Sequence, residues 1–172
     1  MIETARLRLR KMVPEDIEGL LEIFTDARVM ASFGVPPFSR EQMTAWMTRN
    51  LSHQEEHGYG LFSVVLESEG KLIGDCGLEH MEIDGDKVVE LGYDFASAYW
   101  GQGFATEAAE AVRDYAFTEL GITELVSLIQ THNLASLRVS EKIGMRLRRT
   151  FSRHGREYAL YAIARGEGQG QA

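Results

Sequence analysis

Cysteine and long apolar runs are nearly absent from the chain. Its 172 residues include one cysteine, Cys76, which excludes an intramolecular disulfide and favours a reducing compartment. No apolar run approaches the ~20 residues that a membrane span needs. The opening "IETARLRLRKM" is strand-like and lacks the charged-then-apolar pattern of a signal peptide. We therefore expect a cytoplasmic protein without a membrane partner.

Positive charge is also scarce. Lysine and arginine number 18 against 26 acidic residues, which gives a formal net charge of −8 at pH 7. An acidic protein repels nucleic acid unless it carries a local basic patch. One group of arginines lies near the C-terminus: Arg146, Arg148, Arg149, Arg153 and Arg156. Apolar residues alternate with these arginines, which indicates that the arginines lie on the exposed face of a strand. We therefore predict no nucleic-acid partner, with docking to ribosomal RNA as the alternative.

Periodicity predicts one α/β domain over residues 1–165. Leu7 and Leu9 alternate with arginines as in a half-buried strand, and "VPEDIEGLLEIF" has helical spacing. Ser39 stands three residues before Gln42, a capping-box pattern that opens a second helix. The tail 166–172, "GEGQGQA", lacks apolar residues and is predicted to be disordered.

The middle of the chain predicts an antiparallel meander followed by helices and further strands. The segments "LFSVVLE", "KLIGDCGLEHM" and "VVELGYDF" are separated by the turn sequences "SEG" and "IDGDK". A helix follows from near Phe104 to Gly121, and then come "ELVSLIQ" as a strand and "LASLRVSEKIG" as a short helix. Two last strands flank the turn "RHGR".

The stretch "YWGQGFAT" carries the clearest chemical signal. Gly101 and Gly103 stand between a strand and a helix, where glycine allows a sharp turn and the close approach of a ligand. Unpaired amides and the dipole at a helix start bind anions, so the segment predicts a pyrophosphate ligand. The alternative is that the two glycines form only a tight turn. A P-loop is excluded because no Gly-Lys-Ser/Thr follows. A dinucleotide fingerprint is disfavoured because Glu124 begins its strand instead of ending it.

The segments "ELGYDFASAYWGQGFATEA" and "HNLASLRVSEKIGM" resemble the GNAT superfamily of acetyl-CoA-dependent N-acetyltransferases. The opening "TARLRLRKMVPEDIEGLLEIFTD" and the later "NLAS" resemble its ribosomal-protein N-terminal (Rim-type) branch. The resemblance implies an α/β (α+β) fold with a mixed, mostly antiparallel twisted sheet of about seven strands and about four helices. It also implies a splay between the fourth and fifth strands, which would hold the pantetheine arm of acetyl-CoA.

The resemblance also implies a set of cofactor-binding residues. The loop would hold the CoA pyrophosphate on backbone amides, and a bulge near Tyr93 to Phe95 would aim an amide at the thioester oxygen. Asn133 matches a cofactor-contacting asparagine, but it would equally serve as a helix N-cap. The predicted cofactor-binding residues are Tyr93, Asp94, Phe95, Trp100, Gly101, Gln102, Gly103, Phe104, Ala105, Thr106, Asn133 and Ser136.

Direct acetyl transfer to an amine requires a base and an acid. Many GNAT proteins use a tyrosine seven residues after the asparagine as the acid, and here that position is Ser140. Ser136 and Ser140 share a helix face and are the predicted proton relay, with water carrying part of the load. Glu90, which matches a Rim-type acidic position, is the predicted base.

For the acceptor site, the resemblance implies an aromatic wall of Phe33, Phe38 and Trp46, together with Glu79. The predicted acceptor is a protein or peptide N-terminus or a small amine, and the protein is expected to be a monomer or homodimer. Because Ser140 stands where the family usually has its tyrosine acid, a non-catalytic acyl-CoA-binding regulatory module is the alternative function. His53 and His57 are four residues apart, but the sequence presents no third ligand, so we predict no metal.

Overall fold

The computed structural model describes residues 1–167, so most of the predicted disordered tail, from residue 168 onward, lies outside the described residues. The described part of the chain forms one mixed sheet and five α-helices. The strands are β1 (Ile2–Glu3), β2 (Leu7–Lys11), β3 (Leu61–Leu66), β4 (Lys71–Ile83), β5 (Asp86–Phe95), β6 (Glu124–Gln130), β7 (Arg146–Arg153) and β8 (Arg156–Ala164). The helices are α1 (Ile17–Thr25), α2 (Ala27–Phe33), α3 (Arg40–His57), α4 (Phe104–Thr118) and α5 (Leu134–Lys142). None of these helices has the length and apolar character needed to cross a bilayer.

The strand order is β1-β2-β3-β4-β5-β6-β8-β7. Every neighbouring pair is antiparallel except β5 and β6, which run parallel. Among the described residues a single register pair, Glu90 with Val126, joins β5 to β6, whereas ten pairs join β4 to β5. The sheet is therefore mostly antiparallel, as predicted, and it splays open between the two strands that the family resemblance implied.

The short elements β1 and α2 account for the one extra strand and the one extra helix. A two-residue strand is too short for a periodicity signal. Helix α2 did carry signals: the Asp26 side chain accepts a hydrogen bond from the Arg28 amide at 2.8 Å, and Gly34 ends the helix with φ of 62°. These are the N-cap and C-cap residues that helices prefer, but seven helical residues show too little periodicity to be recognised.

The sheet is packed on both faces. Leu7 and Leu9, predicted from their alternation with arginines, are fully buried in the core that also holds the inner face of α4. A second core on the side of α1 to α3 is built around residues such as Leu20 and Met43. The capping box of α3 is present, since Ser39 Oγ accepts from the Gln42 amide and the Gln42 side chain accepts from the Ser39 amide. Helices therefore pack on both faces of the sheet, with α4 on one side and α1 to α3 on the other.

Candidate functional site

Two cavities meet at the splay between β5 and β6. The first, the glycine-loop cavity, has a volume of about 550 Å³ and lies between the loop before α4 and helix α5. The second, the carboxylate cavity, has a volume of about 460 Å³ and lies between the sheet and helices α1 to α3. Five residues line both of them: Ser32, Tyr93, Asp94, Asn133 and Ser136. The arrangement allows two ligands to meet at these shared residues.

The glycine loop has the conformation that its residues predict. Gly101 and Gly103 have φ values of 75° and 83°, in the left-handed region that glycine adopts without strain, and Gly103 is the N-cap of α4. The Arg6 guanidinium holds the loop from outside, because its Nη1 donates to the Gln102 carbonyl at 3.0 Å and its plane lies over the Phe104 ring. Glu107 of α4 forms an ion pair with Arg6 at 2.6 Å.

The structure brings most of the predicted cofactor-binding residues together. Those that line the glycine-loop cavity are Tyr93, Asp94, Phe95, Trp100, Gly101, Gly103, Phe104, Ala105, Thr106, Asn133 and Ser136. Gln102 is not among the lining residues, since its amide side chain turns back to donate to the Ala98 carbonyl at 3.3 Å. Gln102 can therefore contribute only main-chain groups to a ligand bound at the loop.

Three cations in this cavity were missed by the sequence reasoning. Arg28, Arg138 and Lys142 all line it. Arg138 and Lys142 are four residues apart on α5, and that spacing places them on one helix face, so this signal was present in the sequence. The Arg28 position could not be read because α2 itself was not recognised. Phosphate groups are the anions that such a set of cations favours.

The edge of β5 that faces the splay offers main-chain groups to the cavity. The Leu91 carbonyl accepts from Ser127 Oγ at 2.7 Å, and the Phe95 carbonyl accepts from Trp100 Nε1 at 2.8 Å. Tyr93 lies between them, and by the alternation of a strand its main chain faces the same side. The bulge expected near this residue is wrong, because the β4–β5 register runs without a shift from Gly74 with Phe95 to Ile83 with Asp86. The Tyr93 amide is able to bind a ligand because β6 diverges from β5, and no bulge is needed to expose it.

The two predicted serines differ in their positions. Ser136 lines both cavities, and its amide donates to Asn133 Oδ1 at 3.2 Å, so Asn133 is the N-cap of α5. Ser140 is fully buried and lines neither cavity. Its hydroxyl lies 3.2 Å from the hydroxyl of Tyr93, which also donates to the Ser136 carbonyl at 2.8 Å. Ser140 can therefore reach a ligand only through Tyr93.

Three carboxylates, those of Glu79, Glu90 and Asp94, form the floor of the carboxylate cavity. A fourth, that of Asp75, is fully buried and does not line the cavity. In the β4–β5 register Glu79 is opposite Glu90, and Asp75 is opposite Asp94. Directly paired residues share one face of an antiparallel sheet, so all four point the same way. A pair of glycines, Gly77 with Gly92, separates the two carboxylate pairs, and a Cβ at Gly92 would meet no atom within 4 Å. Gly92 therefore leaves open space between Glu90 and Asp94, whereas Gly77 packs against the Gly60 backbone, where a Cβ would come within 2.1 Å of the carbonyl oxygen.

Burial and mutual repulsion disfavour the ionised forms of these groups. Burial raises the pKa of Glu90 to about 7, with Glu79 and Asp94 contributing repulsion, while the Leu128 amide, which donates to Glu90 at 3.2 Å, opposes the rise. Burial likewise raises the pKa of Asp94 and of Glu79. Burial and the charge of Asp94 hold the pKa of Asp75 well above its ordinary value, and neither oxygen of Asp75 has a hydrogen-bond partner. Glu90 lies halfway along β5.

Aromatic side chains form the opposite wall of this cavity. Phe33, Phe38 and Trp46, the three predicted residues, all line it and are half-buried. Phe24 stands between them, with ring centroids 5.4 Å from Phe38 and 5.1 Å from Trp46. Phe24 was read only as a core position of α1. The cavity thus combines an apolar wall with an acidic floor.

The two central parallel strands splay beside a glycine loop at a helix N-terminus, an arrangement that suits a ligand with phosphate groups and an extended arm. The family model for the acetyltransferase (GNAT) domain matches residues 6–146. Bacillus subtilis YkkB is 37% identical over 163 residues, which cover 92% of each chain. The N-acetyltransferase YnaD of the same organism is 32% identical, covering 84% of this chain and 82% of its own. A GNAT-family acetyltransferase structure from Bacillus anthracis superposes with a TM-score of 0.82 at 30% identity, covering 96% and 99% of the two chains.

The chain therefore belongs to the GNAT acetyltransferase family. It is an N-acetyltransferase, and the alternative of a non-catalytic binding module is set aside. Membership in the Rim-type branch remains a prediction.

Proposed function

We propose that the protein transfers an acetyl group from acetyl-CoA directly to a small primary amine with an apolar body. The observation that carries this proposal is the division of charge between the two cavities. Asp94 lines both cavities, and Arg156, which donates to the Phe33 and Gly34 carbonyls, lines the carboxylate cavity. Arg28, Arg138 and Lys142 line only the glycine-loop cavity, whereas Glu79 and Glu90 line only the carboxylate cavity. The first set suits a phosphate-bearing donor and the second suits an ammonium group.

The donor would lie along the open edge of β5. Its pyrophosphate would rest on the amides at Gly101 to Phe104, and Arg28, Arg138 and Lys142 would hold further phosphate charge. Its pantetheine arm would take the place of a strand beside Tyr93, where β6 has diverged. The thioester would then reach the five residues shared by both cavities.

A small amine suits the carboxylate cavity better than a protein N-terminus does. The volume of about 460 Å³ falls within the range of small-molecule sites. Glu79 and Glu90 would attract the ammonium group, and the wall of Phe24, Phe38 and Trp46 would pack against its apolar part. A peptide substrate would need an open groove, and it remains the alternative acceptor.

The reaction forms an amide C–N bond and breaks the thioester C–S bond. Glu90, with a pKa of about 7, would take a proton from the ammonium group, directly or through water. A main-chain amide of β5 would hold the oxyanion of the tetrahedral intermediate, a contribution typically worth about 3 kcal/mol. Tyr93, which lines both cavities, would give its hydroxyl proton to the departing CoA thiolate. It would regain a proton from the amine nitrogen, which loses its second proton as the amide forms.

Two measurements test the proposal. Calorimetric titration with acetyl-CoA, free CoA, NAD and ATP should show binding of the two CoA ligands alone, and failure to bind either would overturn the donor assignment. CoA thiol release is then measured against a panel of amines and a peptide library. We expect turnover with amines that carry an aromatic or alkyl body; turnover restricted to peptides would replace the acceptor class and leave the donor assignment intact.

A further inference from the structure

Three of the five histidines gather outside both cavities. His53 and His57 belong to α3, His80 belongs to β4, and one ring nitrogen from each lies within 4.8 Å of the others. The ring centroids of His57 and His80 are 4.3 Å apart, and those of His53 and His57 are 4.4 Å apart. The sequence showed only the first two as a spaced pair. The third, His80, comes from the strand that runs past the end of the helix.

Hydrogen bonds orient two of these rings. The Nδ1–H of His53 donates to the Tyr59 carbonyl at 2.9 Å, which fixes the tautomer and leaves Nε2 with its lone pair. That Nε2 accepts from the His80 amide at 3.1 Å. The Tyr59 hydroxyl lies 2.7 Å from Nε2 of His80. Metal-binding histidines are commonly oriented in this way through their second nitrogen.

We propose that His53, His57 and His80 bind one divalent transition-metal ion, with Zn²⁺ as the reference ion. Three imidazoles suit Zn²⁺, Ni²⁺ and Cu²⁺, whereas Mg²⁺ prefers oxygen ligands. His53 and His57 are spaced i, i+4 on one helix face, so they form a chelating pair. The Glu56 carboxylate, 3.7 Å from Nε2 of His57, supplies negative charge beside the site and a possible fourth ligand.

Side-chain rotation brings the three nitrogens to coordination distance. Zn–N bonds of ~2.0–2.1 Å place tetrahedral ligands about 3.3–3.5 Å apart, which is closer than the 4.8 Å limit of the present group. His57 and His80 are exposed, so their rings can turn without disturbing the core. The ion would replace the hydrogen bond that Nε2 of His53 accepts from the His80 amide.

A bound ion would clamp the C-terminal end of α3 to β4. Because the unfolded chain does not hold the three rings together, binding stabilises the folded state by mass action. Helix α3 also carries Trp46 into the carboxylate cavity, so the clamp anchors a wall of the acceptor site from its far end. The proposal does not depend on the acceptor or on acetyl transfer.

The experiment uses the untagged full chain, because a polyhistidine tag would bind the same ions. We expect one equivalent of ZnCl₂ to bind in a calorimetric titration. At about 100-fold excess over Kd, Zn²⁺ should raise the Tm by roughly 5–10 °C, and MgCl₂ should not. CoCl₂ gives a second readout, since imidazole coordination produces visible absorption bands.

The variants locate the site. His57→Gln removes an exposed ring that forms no hydrogen bond inside the cluster, so its fold should survive while the Tm shift and the Co²⁺ bands are lost. His154→Asn is the matched control: it removes another exposed imidazole, at a turn with φ of 50° that asparagine tolerates, and it should keep the wild-type response. No 1:1 binding of Zn²⁺ to the wild type, or an unchanged response in His57→Gln, overturns the proposal.

Discussion

The hydroxyl of Tyr93, on strand β5, lies 3.2 Å from the hydroxyl of Ser140, on helix α5. Ser140 occupies the position at which the family resemblance places the usual tyrosine acid. A phenol is therefore present beside this position, but it is supplied by the strand and not by the helix. Burial raises the pKa of the Tyr93 phenol, so it stays protonated and is able to donate.

Tyr93→Phe should lower kcat by about 100-fold or more while the Kd for acetyl-CoA changes little, since general-acid catalysis typically contributes about 10²- to 10⁴-fold. The ring and its packing remain, and only the hydroxyl is lost. Steady-state kinetics and calorimetry on the same preparation measure the two quantities. Ser140→Ala is the comparison: it should cost less than Tyr93→Phe, and the reverse order would return the acid role to the serine.

Activity should rise with pH through an apparent pKa near 7. Glu90 must be ionised to accept a proton, and burial holds its pKa at about 7 instead of 4.5. Well below pH 7, kcat/KM should therefore fall about tenfold per pH unit. Glu90→Gln should lower turnover at least about tenfold and abolish this dependence, without preventing acetyl-CoA binding. A pH–rate profile of wild type and variant measures both, and an unchanged turnover would remove Glu90 from the base role.

Ionisation of the buried Glu90 carboxyl should lower the free energy of unfolding. Because the pKa of Glu90 is higher in the folded state than in the unfolded chain, its favourable contribution is fully present below the unfolded value. That contribution is lost as the pH rises through about 7. Glu90→Gln, which can still accept from the Leu128 amide, should therefore raise the Tm at pH 8 and change it little at pH 4. Equal shifts at the two pH values would show that titration of this group is not the cause.

Gly92→Val should block the acceptor without unfolding the protein. A Cβ at this position meets no atom within 4 Å, and the added methyl groups would fill the space between Glu90 and Asp94. We expect the KM for the amine to rise at least about tenfold, since a displaced substrate loses several favourable contacts. Acetyl-CoA binding and Tm should stay close to wild type. A raised Kd for acetyl-CoA with an unchanged amine KM would contradict this assignment of the two cavities.

Arg6→Met should weaken acetyl-CoA binding although Arg6 does not line either cavity. Its hydrogen bond to the Gln102 carbonyl and its ion pair with Glu107 hold the glycine loop in shape. Loss of a pre-organised loop should raise the Kd for acetyl-CoA by about tenfold. Arg8→Met removes a neighbouring arginine that pairs with Glu67 at 3.1 Å, and it should leave the Kd unchanged. Calorimetry on both variants separates the loop effect from the general loss of a positive charge.

The elements recognised from the sequence were those with strong local signals. Each of these signals lies within a few consecutive residues: the alternation of Leu7 and Leu9, the capping box at Ser39 and the glycines before α4. The pairing of Asp75 with Asp94 could not be read in this way, because it depends on the register between two strands. The third histidine of the cluster was missed for the same reason, since His80 lies 23 residues from His57 in sequence and reaches it only through packing.

The splay between β5 and β6 has a consequence for how the chain holds together. Within residues 1–167, one register pair joins the half-sheet of β1 to β5 to the half-sheet of β6 to β8. The junction with the fewest strand pairs thus coincides with the place where the donor is proposed to lie, and a ligand bound there would add main-chain hydrogen bonds between the two halves of the sheet. Amide hydrogens on either side of the seam would then exchange together when the ligand is bound and more independently when it is gone.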